Sequence, residues 1–138
     1  QGYAYGAHGL AQGLSTDQLV FRNCRHLTLT GILLQHTRAA VEPVATSVEM
    51  TGCRLVNLVG MQIINARQHG ITFNDCAVVR VADCTIKGRE GDKTYRAALR
   101  WNEKCSQLMV VNNFLGEGSA GAFQLPPRQG TASGNVML

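Results

Sequence analysis

Arg89, Glu90, Asp92, Lys93, Tyr95 and Arg96 lie within eight consecutive positions, the densest run of chemically capable side chains in the sequence. In a β-elimination a base, often Lys, Arg, His or Tyr, removes the proton beside a uronate carboxylate. A cation or a metal ion neutralises that carboxylate. Arg89, Lys93, Arg96 and Tyr95 are the right types, with His69 and Arg67 upstream. In a hydrolase, Glu90 and Asp92 would serve as acid and base. The catalytic candidates are therefore Glu90, Asp92 and His69. The candidate substrate-binding residues are Arg67, His69, Arg89, Lys93, Tyr95 and Arg96. No cofactor is expected, calcium held by Glu90 with Asp92 being the one exception the residue types allow. A charged loop of ten residues is also what an ordinary solvated turn looks like. The elements that hold it must decide.

Five cysteines are an odd number, so at least one is unpaired within the chain. Zinc ligands usually come as Cys or Cys-His pairs two to five residues apart. The nearest pair here, Cys76 and Cys84, is eight apart, and no metal site is expected. Cys24, Cys53, Cys76 and Cys105 follow one another at intervals of 29, 23 and 29 residues. That spacing belongs to a repeat.

Residues 19–37, 48–65, 71–88 and 99–116 superimpose with almost no adjustment, the last copy carrying one extra residue, Lys104. Phe21, Met50, Phe73 and Trp101 share one column and the four cysteines the next. Leu27, Val56, Val79 and Leu108 follow, then Leu29, Leu58, Val81 and Val110. Gly31, Gly60, Asp83 and Asn112 hold a turn position, and Leu34, Ile63, Ile86 and Leu115 close the unit. A degenerate fifth copy begins at Phe123. The apolar alternation has a period of two over three to five residues, which predicts short strands with one buried face. Repeats of this length fit a solenoid with one coil per repeat. Val, Ile, Phe and Thr dominate and no unit has a helical period, which excludes a leucine-rich repeat. The expected fold is all-β, a parallel β-helix of about four to five coils. The crossover rule for parallel strands makes it right-handed. Residues 19–138 would form this domain, with 1–18 as an N-terminal cap, arm or partial coil.

Stacked in-register cysteines have parallel Cβ vectors, so buried, unbridged thiols acting as small hydrophobes are expected. The aromatic column shares the phase of the aliphatic ones and should also point inward. Two long intervals, 37–46 and 88–97, leave the cylinder at matching turns around a short return at 65–70. They predict a groove floored by Arg67, Gln68 and His69.

Gly70-Ile71 at a strand start and Val111-Asn112-Asn113-Phe114 at a turn resemble the repeat of the right-handed parallel β-helix superfamily, the pectate-lyase-like proteins. There, Gly-Ile opens a strand and Asn-Asn-x-Ile ends the next. Residues 19–37 also resemble a coil of the polygalacturonase-type glycosidases. The polygalacturonases carry Asn-Thr-Asp-Gly and Gly-Asp-Asp, where this chain has Arg67-Gln68-His69-Gly70 and Gly88-Arg89-Glu90. The catalytic aspartates are absent, so ordinary polygalacturonase chemistry is not expected of this segment.

The resemblance implies a polysaccharide-binding or polysaccharide-processing module, part of a larger lyase, hydrolase or phage tailspike. The competing expectation is a non-catalytic structural or assembly shaft. An acidic polysaccharide is the expected ligand, and a homo-oligomer, by analogy to tailspikes a trimer, or a longer parent chain the expected assembly. Aromatic residues are 6% of the 138 and fall in core columns, with no basic run, which argues against nucleic acid. No apolar run approaches the roughly 18 to 20 residues of a membrane span. No leader opens the sequence, and free thiols suit a cytoplasmic or virion protein.

Overall fold

Period-two runs become short strands because each coil can bury only one face of each. The computed structural model describes residues 18–35, 46–124 and 130–138. Coil one is β1 (Leu19–Arg22), β2 (Arg25–Thr30) and β3 (Leu33–Gln35). Coil two is β4 (Thr46–Thr51), β5 (Arg54–Val59) and β6 (Gln62–Ala66), and coil three is β7 (His69–Asn74), β8 (Ala77–Ala82) and β9 (Thr85–Gly88). β10 (Ala97–Trp101), β11 (Ser106–Val111) and β12 (Phe114–Leu115) make coil four. β13 (Phe123–Gln124), β14 (Gly130–Ser133) and β15 (Val136–Met137) make coil five. Like strands pair in parallel into three five-stranded sheets: β1-β4-β7-β10-β13, β2-β5-β8-β11-β14 and β3-β6-β9-β12-β15. The described residues form a parallel β-helix of five coils.

Register follows the sequence columns. Phe21 lies opposite Met50, Met50 opposite Phe73, and Phe73 opposite Trp101. All four are buried, and the rings of Phe73 and Trp101 stack at 3.9 Å with planes 10° apart. The indole N–H of Trp101 is buried and finds no acceptor among the described residues. The inward columns of the second and third sheets, Leu27 to Leu108 and Leu34 to Leu115, complete one continuous core. The corner between those sheets takes a left-handed residue in every coil: Gly31, Gly60, Asp83, Asn112 and Gly134, with φ between 56° and 66°. Gly, Asn and Asp are the types that tolerate this backbone. Gly70 is fixed by close approach instead. A Cβ there would collide with Ile86 and stand 2.7 Å from the Ala98 carbonyl oxygen.

All five cysteines are free and buried. The thiols do more than fill space. Those of Cys53, Cys76 and Cys105 donate to the carbonyls of Phe21, Met50 and Phe73 in the preceding coil, at 3.6, 3.6 and 3.4 Å. Cys84 donates to Leu58 O at 3.6 Å. In the next two coils Asn113 and Asn135 serve the equivalent carbonyls, Val81 O and Val110 O, each at 3.0 Å. A cysteine thus replaces asparagine as the corner donor. Burial pushes the Cys53 and Cys84 thiols up, which keeps them protonated and able to donate.

Candidate functional site

Among the described residues the turn from the third sheet back to the first varies most in length, so this corner carries the loops. It returns directly at 67–68, but by longer loops at 89–96 and 116–122. In the first of these, Asp92 Oδ1 accepts from the Thr94 amide at 2.8 Å and from its hydroxyl at 2.7 Å. Gly91 turns the chain with φ 77°. Tyr95 then folds beneath Gly88, where any Cβ would collide with its ring. Its hydroxyl donates to Gly116 O at 2.9 Å. The second loop docks on the first through backbone bonds, from Ser119 to Tyr95 O at 3.2 Å and from Ala120 to Arg96 O at 2.9 Å. Arg96 N–H in turn donates to Gln68 O at 2.8 Å. Three successive coils are knitted at this corner.

The residues singled out in sequence divide between two places. Arg89, Glu90, Asp92 and Lys93 line a cleft of about 690 Å³ against Glu117 and Ser119 of the second loop. His69 lies on the first sheet, in register with Thr46 and Ala97, and is 6% exposed. Burial, then the charges of Arg100 and Arg96, lower its pKa. The Thr72 hydroxyl donates to the Thr46 hydroxyl at 3.2 Å beside it, and both threonines are buried. Arg67 is half-buried, and its charge reaches Asp92. Tyr95 lines the same cleft but is 5% exposed and packs with the core. Residues 37–45, the other expected wall, lie outside the described residues. Arg100 and the 116–122 loop were not singled out from the sequence. The run of Gly116, Gly118 and Gly121 was the available signal for that loop.

A general acid needs a raised pKa. The Thr94 hydrogen bonds hold Asp92 below the usual carboxylate range, helped by Arg67 and Arg89. Tyr95 is pushed up by burial, the wrong direction for a phenolate base. His69 is a neutral imidazole with little access to solvent. Among the described residues no three His, Cys, Asp or Glu side chains gather to hold a metal ion. Comparisons with family models, with curated proteins and with solved structures find no match to this chain.

The position of His69 has a consequence in acid. Its folded pKa lies below the unfolded value, so the unfolded chain binds the proton more readily. This part of the stability is complete above about pH 6.5 and is lost as pH falls through the folded pKa. The slope approaches 1.4 kcal/mol per pH unit at most. Urea unfolding of the wild type and His69→Gln across that window should show the substitution flattening the profile. Parallel profiles would mean that His69 titrates alike in both states.

Proposed function

We propose that this chain is a glycan-binding β-helix module. It would hold an acidic oligosaccharide on the outer face of the first sheet, at the root of the 89–96 loop. One observation carries the reading. Arg96 and Arg100 are exposed, both act electrostatically on the same buried imidazole, and among the described residues neither has an acidic partner. Two exposed guanidiniums without acidic partners, one on β10 and one just before it, favour an anion, and planar bidentate donors suit a carboxylate best. Thr72, in register with Arg100 and hydrogen-bonded to Thr46, would add hydroxyl groups beside them for a hydroxyl-rich ligand. The resemblance to the pectate-lyase-like superfamily makes a polysaccharide the natural bearer of that carboxylate, which is a warrant by fold analogy. A tailspike-like homo-oligomer or a longer parent enzyme would be the setting for such a module.

The test is calorimetric titration with an oligogalacturonate and with a neutral oligosaccharide of equal length. The acidic ligand should bind and the neutral one should not. Charge-assisted contacts are individually strong, so Arg96→Ala with Arg100→Ala should weaken binding at least tenfold at unchanged melting temperature. Affinity that survives the double change would hand the lead to the non-catalytic shaft.

A further inference from the structure

Left-handed backbone is placed with care along this chain, save in one column. The corner positions Asn23, Gly52 and Asp75, and then Gly31, Gly60 and Asp83, carry the types that tolerate positive φ. Three residues after the first of these corners a second left-handed column runs through His26, Leu55, Val78 and Gln107, with φ of 57°, 58°, 57° and 55°. Branched aliphatic residues are poorly suited to that conformation, a β-branched valine worst of all. Nor does core packing explain them, for Leu55 and Val78 are 41% and 42% exposed. Strain kept at a solvent-facing position points to a use for the side chain.

These side chains border a groove of about 420 Å³ on the outer face of the second sheet. The column Thr28, Asn57, Arg80 and Met109 also lines it, the last of these 41% exposed. We propose that this groove docks an extended segment of a partner protein rich in aliphatic and acidic side chains. The lining holds no phenyl, phenol or indole ring, so a sugar finds no stacking platform there. It holds Arg80 and no carboxylate, and among the described residues Arg80 has no acidic partner. The partner is therefore acidic. A second copy of the same face would bring Arg80 against like charge. The amides of Asn57 and Gln107 offer donor and acceptor together, as the backbone of an extended peptide requires. Leu55, Val78 and Met109 supply the apolar contact.

The inference is independent of the glycan reading, since it uses another sheet face. The probe is a fluorescein-labelled heptapeptide alternating Glu and Leu, with Gln-Leu and Lys-Leu versions as controls, followed by anisotropy at low salt. Binding should be saturable and strongest for Glu-Leu, absent for Lys-Leu. Arg80→Gln should erase the preference for Glu over Gln. Leu55→Asn with Val78→Asn should weaken Glu-Leu binding at least tenfold while raising the melting temperature by about 3 °C. A variant that is more stable and binds less is a result that a purely structural role does not produce. A lowered melting temperature would remove the strain on which the inference rests, and unchanged or absent peptide binding would overturn it directly. Competition by oligogalacturonate would make the groove a sugar site. A concentration-dependent dimer lost in the double variant would make it a self-interface. Either result overturns the proposal.

Discussion

Tyr95→Ala should destabilise the fold by about 3 to 5 kcal/mol, in the range of large aromatic truncations in packed cores. The ring fills the corner between Gly88 and the returning chain, and its hydroxyl satisfies a carbonyl of the next loop. Tyr95→Phe removes the hydrogen bond alone and should cost about 1 kcal/mol, because the Gly116 carbonyl keeps its burial but loses its donor. The two substitutions therefore separate packing from hydrogen bonding at one position. Urea unfolding gives the energies, and hydrogen exchange locates the damage. The Ser119 and Ala120 amides, which bond back to Tyr95 and Arg96, should lose protection first in Tyr95→Ala. Equal, small losses in both variants would show that the ring does not anchor the two loops.

The same residue shows where sequence reading succeeds and where it stops. The columns were legible because stacking in register imposes the same demand on every coil. Phe21 to Trp101, the cysteines, and the turn column from Gly31 to Asn112 each repeat a constraint four times over. Tyr95 has no counterpart in other coils, so nothing in a run of charged neighbours marks it as core. His69 was hidden for a related reason. It keeps the inward phase of Ile71 and Phe73 at the start of β7, but an imidazole beside a glycine reads as a turn. The left-handed column through Leu55 and Val78 was invisible because its residue types argue against that backbone. The candidate residues, drawn from loops and corners, divide between two places in the fold. His69 and Arg100 lie on the first sheet with Arg96 just before β10, whereas Arg89, Glu90 and Lys93 line a cleft against the 116–122 loop.

Asn113→Leu, which keeps the heavy-atom count and branching, should cost about 2 to 5 kcal/mol, because it strands two buried backbone groups. Asn113 Oδ1 accepts from the Cys84 amide at 2.8 Å, and its Nδ2 donates to Val81 O at 3.0 Å and to Asn135 Oδ1 at 3.0 Å. Its side chain is 1% exposed on average with its backbone, so no water replaces these partners. Asn113→Asp tests the same arrangement by charge. A buried carboxylate accepting one amide but facing the Val81 carbonyl is disfavoured when ionised, so its folded pKa should rise above the unfolded value. Protonated, it presents a hydroxyl to Val81 O and an acceptor to Cys84, much as the asparagine does. Its stabilising contribution is therefore complete below the unfolded aspartate pKa and is lost as pH rises through the folded one. Unfolding measured from acid to neutral pH should show Asn113→Asp approaching the wild type in acid and falling away from it towards neutrality. An acid-insensitive deficit would mean that the corner cannot accept a hydroxyl donor, and that the thiol of Cys84, bonded to Leu58 O one coil earlier, is tolerated by size alone.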